Sequence, residues 1–371
     1  MKYNTIRTLT SLRFLAIMLI VVHHLREEFI PRLLTNENFG MMGVTFFLML
    51  SGFVINLRYG RITRMQEALF FLWNRIVRIY PLHILTLGIC VFIFSRRGIP
   101  IHFPTAIING MLLQSFFPFK SIYFSFNALS WILSTLFFFY LVFTLAKLIP
   151  RLFPFIILLS LASLLLSVYF IETNPRGEVL WFRLWLLYIF PLNRLVTIFL
   201  GMSVSIVFII KRHQLTSRLG VVSATALEAM ALVLMIDFIA WEGLTRFVHN
   251  AILSFTGSPL WSIDFLNKNY ISGPLPVAMM ICIFALEKGL VSRILQARIF
   301  IILGEMSFSI FITHQIIINY LLSSYKAYLF SALGQPMTVI LATVFIIGVS
   351  CLTYLAIEEP IRKGLRVSVT G

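Results

Sequence analysis

Charged side chains are the scarcest resource in this sequence. Of 371 residues only 12% are Asp, Glu, Lys or Arg, against about 25% in an ordinary soluble domain. A water-facing surface of this size needs more, so a soluble globular domain is excluded. Acidic residues are rarer still, 14 against 30 Lys and Arg, which leaves a net charge of +16. Cysteine is nearly absent: Cys90, Cys282 and Cys351 each sit alone inside an apolar run, so neither a disulfide framework nor a metal site is supported. They read as small buried hydrophobes. No basic helix and no alternating aromatic and basic platform is present, which argues against nucleic acid as a partner. Internal repeats, low-complexity tracts and hydrophilic linkers are lacking too. The whole chain, 1–371, therefore reads as a single transmembrane domain with no appended soluble domain.

What is abundant is apolar length. The hydrophobic set makes up 59% of the chain, mean hydropathy is +0.94, and the apolar runs approach the ~20 residues that cross a hydrocarbon core. Ten runs qualify, near 9–26, 41–58, 77–96, 128–148, 153–172, 186–210, 220–241, 271–288, 299–323 and 335–357. The first follows basic residues, as a signal peptide does, but no small-residue cleavage site follows it, so it is read as a retained helix. A further apolar stretch over 101–119 is interrupted by Pro104 and Gly110 and fits a re-entrant or interfacial segment. The expected fold is an all-α integral membrane protein, a bundle of about ten transmembrane helices with that additional segment. With both termini placed in the cytoplasm, 19 of the 30 Lys and Arg fall inside, in keeping with the positive-inside rule. This predicts a multi-pass protein of the inner (plasma) membrane, with anionic lipid headgroups accounting for most of the basic residues.

Ionisable groups at membrane depth are costly and mark functional candidates. The first run holds Arg13 and the pair His23–His24. Eleven positions at 1.5 Å per residue separate Arg13 from His24 by about 16 Å on nearly one helical face, and His23 points about 100° away. An interfacial anchor accounts for Arg13 equally well, and a hydrogen-bonded interior imidazole for His24. Arg75 and Arg78, three apart and followed by Tyr80-Pro81, present a fork suited to phosphate, although inside-positive charge also explains such a pair. Deeper candidates are Trp131 and Ser134, then Arg194, Ser307, Ser309, His314 and Glu358. Arg194 needs an interior partner, and Glu358 is the nominee. A basic inner mouth and an imidazole able to take a proton from a hydroxyl near neutral pH together suggest acyl transfer from coenzyme A to an alcohol. That chemistry requires a hydrated, cation-lined path from the cytosol to a buried imidazole.

Those motifs resemble the acyltransferase 3 family of membrane O-acyltransferases across nearly the whole chain. Arg13 through His24 is similar to the family's first-helix pattern, and the run from Gly43 to Ser51-Gly52-Phe53 to its second-helix signature. Arg75-Ile-Val-Arg78 resembles its Arg-x-x-Arg motif, Gly304 to His314 its late Ser-to-His motif, and Glu358-Glu-Pro360 its ending. Two departures stand out: Leu136 and Thr197 occupy places where relatives often carry an acidic residue.

The resemblance implies a membrane O-acyltransferase, acetyl being the expected group. It would use acetyl-CoA or another acyl-CoA as donor and no metal. The acceptor would be a sugar hydroxyl of a polysaccharide such as an exopolysaccharide or lipopolysaccharide, or a lipid-linked precursor. His24 and Arg13 are then the catalytic candidates, and Arg75, Arg78 and Tyr80 the donor-binding ones. His23, Trp131, Ser134, Arg194, Ser307, His314 and Glu358 are candidates for acceptor binding or support. Stacking residues for a carbohydrate or glycolipid are expected over 241–270. A transporter or flippase of an anionic or glycolipid substrate, using the same basic interior, is the competing reading. A family member without catalysis is a third.

Overall fold

The computed structural model describes residues 6–29, 37–60, 62–173, 180–256 and 261–365. All regular structure among them is helical, and no strand is present among the described residues. Eight helices are long and apolar enough to cross a bilayer, and a ninth span results if Arg298–Glu305 and Ser307–Leu333, bent by 53°, are counted as one. Of the residues used for the charge balance, Lys2, Arg32, Arg61, Arg176 and Arg366 lie outside the described residues.

The first helix, α1 (Arg7–Phe29), contacts helices from both ends of the chain. It packs on α2 (Asn38–Tyr59) and, from the far end of the chain, on α15 (Arg298–Glu305) and α16 (Ser307–Ile316). Small residues permit the closest approaches, as expected where lipid removes the hydrophobic drive between helices. A Cβ on Gly304 would collide with the Thr10 carbonyl. Two hydroxyls tie α1 to the chain's C-terminal third: Thr8 Oγ1 donates to Phe284 O at 2.6 Å, and Ser11 Oγ to Leu295 O at 2.6 Å.

The third helix, α3 (Met65–Arg96), begins well before the apolar run expected from residue 77. Glu67 accepts from the backbone N–H of Thr63 (2.9 Å) and Arg64 (3.3 Å), a capping contact that starts the helix in polar sequence. At 32 residues it is about 48 Å long, so Arg75 and Arg78 lie within a continuous helix rather than at its start. The stretch 101–119 forms the short α4 (Phe103–Gly110) and a 3₁₀ turn at Gln114–Phe116, followed by α5 (Lys120–Tyr123). Phe103, Ile107 and Met111 are exposed while Asn109, Gln114 and Ser115 are buried. Asn109 and Gln114 donate to Ser130 Oγ, and Ser115 donates to Trp131 O at 2.9 Å. The polar face thus points into the protein and the apolar face outward.

Next come α6 (Ser130–Leu148), α7 (Leu152–Thr173), α8 (Leu180–Leu184) and α9 (Pro191–Arg218), and α9 packs closely on α2. The remainder comprises α10 (Val221–Ile236), α11 (Gly243–Thr256), α12 (Trp261–Leu266), α13 (Pro274–Phe284), α14 (Leu290–Leu295), α17 (Ser323–Leu333), α18 (Gln335–Thr353) and α19 (Glu359–Leu365). The eighth expected run centres on α13, which has 11 residues and alone is shorter than a hydrocarbon core requires. Wide π-helical turns occur at Trp185–Ile189, Asp237–Trp241, Asn267–Ser272, Ile317–Leu322 and Tyr354–Glu358. Such turns frequently mark functional positions.

Candidate functional site

Two groups of polar side chains sit along α1. At its beginning, Arg13 lies within electrostatic range of Arg58, Arg75 and Arg78. Arg78 in turn feels Glu358 and Arg362. Arg75 is enclosed by rings: its guanidinium carbon is 5.1 Å from the Tyr59 centroid, 5.3 Å from Phe71 and 5.8 Å from Tyr140. These cation–π contacts hold the charge in place. Arg75 Nε has no hydrogen-bond partner. The carboxylate in this group is Glu358, which accepts from Ser309 Oγ at 2.6 Å and pairs with Arg362 at 3.9 Å. Cations outnumber it, so a polyanion such as a nucleotide phosphate has counter-charges waiting.

About three turns further along α1, His24 meets His314 of α16. Their rings are 5.2 Å apart between centroids, and His314 Nε2 is 3.3 Å from His24 Nδ1. Two backbone carbonyls fix the tautomers. Ile310 O is 2.8 Å from His314 Nδ1, and Ile20 O is 2.9 Å from His24 Nδ1. A carbonyl only accepts, so both Nδ1 atoms carry hydrogen when the rings are neutral. His314 Nε2 then offers its lone pair to His24 Nδ1–H, which is shared with Ile20 O. His24 Nε2 is left with a lone pair and is the atom able to take a proton. His314 is fully buried, while His24 keeps partial exposure. His23 stands edge-on to His24 at 5.1 Å and packs against α2, where a Cβ on Gly40 would come within 2.8 Å of its ring.

The other sequence candidates are distributed around these groups. Tyr80 directs its hydroxyl to Gly110 O at 2.6 Å, so it fastens α4 to α3. Trp131 is buried with its ring 5.3 Å from Tyr188, Ser134 is fully buried without a partner, and Ser307 is buried at the start of α16. Leu136 packs against the main apolar core.

Arg194 does not pair with Glu358. Its Nε donates to Tyr188 O at 2.5 Å and Nη2 to Asn269 Oδ1 at 3.3 Å, whereas Glu358 is engaged by Ser309 and Arg362. Helix α9 presents Arg194 to the two wide turns holding Tyr188 and Asn269, which explains the difference. Sequence reading missed Tyr59, Phe71 and Tyr140 around Arg75, although Phe71 lies one turn before Arg75 and signals the contact. It also missed Tyr188, Asn269 and Tyr270, for which no local spacing gives a signal.

Cavities of about 360 Å³ and about 340 Å³ lie elsewhere, the first beside Leu329 and Phe345 and the second beside Phe92 and Tyr320. Neither is lined by Arg13, Arg78, His24 or His314. No group of three or more potential metal ligands occurs among the described residues.

A helical membrane bundle with a cationic cluster and a deep imidazole pair suits a membrane acyltransferase, and residues 6–355 match the acyltransferase 3 family, described as an acyltransferase domain. The chain belongs to that family. A curated relative, the acyltransferase MdmB of Streptomyces mycarofaciens, is 27% identical over 349 residues, covering 84% of this chain and 79% of that protein. No solved structure matches the chain.

Proposed function

We propose that the protein is an O-acyltransferase moving an acyl group, acetyl in the simplest case, from acyl-coenzyme A to a sugar hydroxyl of an exported glycan or its lipid-linked precursor. The observation that supports this most is the arrangement on α1, with a guanidinium cluster at Arg13 and an oriented imidazole at His24. Their axial separation of about 16 Å exceeds what one side chain spans. Arg13 is therefore assigned to holding the donor, together with Arg75 and Arg78, and not to the reacting carbonyl.

In the step itself, His24 Nε2 takes the acceptor's hydroxyl proton as that oxygen attacks the thioester carbonyl. The carbon–sulfur bond then breaks and coenzyme A leaves as the thiol, taking the proton from His24 Nε2 and restoring the neutral imidazole. The imidazolium formed on His24 donates through Nδ1 to the lone pair of His314 Nε2, which holds the ring in place. The placement proposed for this chemistry is the inner (plasma) membrane, with ten spans, both termini cytoplasmic and the 101–119 segment re-entrant or interfacial. The donor then enters from the cytoplasmic end of α1, where the cations cluster, and the acceptor reaches His24 from the opposite side.

The test uses purified protein in lipid vesicles with radiolabelled acetyl-CoA and a soluble glycan. Transfer of label to the glycan that disappears in His24→Ala, with the variant still folded, is the expected result. Movement of an intact glycolipid across the vesicle without acyl transfer would instead point to transport.

A further inference from the structure

Arg194 is completely buried within a membrane-spanning helix, yet no carboxylate among the described residues pairs with it. Its Nη1 has no hydrogen-bond partner. Two hydroxyls in the same region are orphaned too: Thr197 Oγ1, one turn along α9, and Ser134 Oγ on the neighbouring α6, both fully buried. Buried polar atoms are normally satisfied, so unpaired donors call for a guest. Water would complete the hydrogen bonds without supplying the missing negative charge, and an unpaired buried cation is costly. The rings of Tyr188 at 3.9 Å and Tyr270 at 5.4 Å soften that cost but carry no net charge.

The neighbouring charges do not fill the gap. Lys268, next to Asn269, is engaged by Glu242 at 3.3 Å and Asp264 at 3.5 Å. Glu37, exposed at the start of α2, acts electrostatically on Tyr188. The start of α9 adds to the positive potential: Phe190 and Pro191 open the helix, and its first N–H groups lie ahead of the Arg194 N–H···O bond to Phe190, where a helix dipole favours anions.

We propose that this α6–α9 seam is an acceptor subsite that takes a carboxylate, so that the sugar acylated, or its neighbour in the glycan, is acidic. Arg194 Nη1 and the Thr197 and Ser134 hydroxyls supply donors for two carboxylate oxygens, and the Trp131 and Tyr188 rings, packed on each other at 5.3 Å, border the seam. A phosphate, with more charge and more oxygens, asks for more cations than the seam holds. The identity of the guest as acceptor rests on the acyl-transfer reading. The need for an anion does not.

The experiment is a titration of the full-length protein in detergent, following tryptophan fluorescence, with sodium glucuronate and with glucose. Glucuronate is expected to bind at least tenfold tighter than glucose. Arg194→Gln should abolish the preference and Thr197→Val should weaken it several-fold; if the first variant does not fold, the second decides. Equal binding of the two sugars by the wild type, or a preference that survives in the folded variants, overturns the proposal. A wild type that prefers glucuronate but transfers acyl groups to neither sugar keeps the anion site and refutes the acceptor role.

Discussion

His314 Nε2 lies 3.3 Å from His24 Nδ1 across 290 positions of sequence. The carbonyls of Ile20 and Ile310 fix which nitrogen of each ring carries hydrogen, so in the proposed transfer His314 acts on the acceptor hydroxyl only through His24. Removing either imidazole must therefore have different consequences. His24→Ala deletes the base and should lower transfer by about 10²–10⁴-fold. His314→Phe leaves the base but removes one of the two acceptors for its Nδ1–H, with Ile20 O remaining, so a smaller loss of kcat with KM for the glycan nearly unchanged is expected, and His314→Gln, whose amide oxygen can accept, should recover part of it. Steady-state kinetics in lipid vesicles measure all three. Wild-type turnover in His24→Ala would eliminate the assignment.

The two arginines of the third helix hold different positions, and this separates their roles. Arg75 is boxed by Tyr59, Phe71 and Tyr140, while Arg78 lies within electrostatic range of Arg13 and Glu358. Arg75→Lys keeps the charge but loses the planar stacking surface, so it should destabilise the end of the bundle that holds the arginine cluster by about 1 kcal/mol. Arg78→Gln should instead raise KM for acyl-CoA about tenfold, through loss of a phosphate-binding charge, and weaken the dependence of KM on salt. Matching thermal-shift and kinetic measurements decide the matter; an unchanged donor KM in Arg78→Gln rules out the phosphate role.

Residues on one helix were readable in the sequence because the rise per residue is fixed. The separation of Arg13 from His24, and the shared face of Arg75 and Arg78, follow from counting. Most membrane helices were legible too, eight or nine among the described residues against ten expected, since apolar runs of spanning length have few other uses. Hydropathy failed where a helix outruns its apolar stretch: Met65 to Asn74 includes Gln66 and Glu67, yet it continues into α3. Contacts between distant segments left no local mark. Nothing near His24 announces His314, and nothing near Arg194 announces Asn269, because the π-helical turn that holds Asn269 has no sequence signature comparable to a glycine or proline.

Close helix contact makes a second class of prediction. In the α2–α9 pair, a Cβ on Gly52 would run into the Ile198 carbonyl and one on Gly201 into the Met49 carbonyl. Both clashes are with backbone, which cannot swing aside. Gly201→Ala should therefore force the helices apart and cost about 1–3 kcal/mol, read as an earlier thermal transition and less monodisperse protein in detergent. Gly348 has nothing within 4 Å of its hypothetical Cβ, and Gly348→Ala should be neutral or stabilise by up to about 1 kcal/mol. If the two variants melt together, the packing argument fails.

Glu228 offers the sharpest test of how remote structure supports the site. It is fully buried on α10, and its two oxygens accept from the backbone N–H groups of Gly289 (3.1 Å), Val291 (3.0 Å) and Ser292 (3.3 Å) and from the Ser292 hydroxyl. A carboxylate is thus capping the start of α14 from another helix, with every contact a donor. Helix α14 ends at Leu295, whose carbonyl receives Ser11 Oγ, and Ser11 lies two residues before Arg13. The carboxylate is in this way linked to the placement of Arg13, the cation proposed to hold the donor. In Glu228→Gln an amide NH₂ replaces one accepting oxygen and faces N–H groups, which should cost about 2–3 kcal/mol. The variant should melt earlier and, at temperatures where it remains folded, show a raised KM for acyl-CoA with little change toward the glycan. A lowered melting temperature with an unaltered donor KM would leave Glu228 as a cap for α14 alone, unconnected to Arg13.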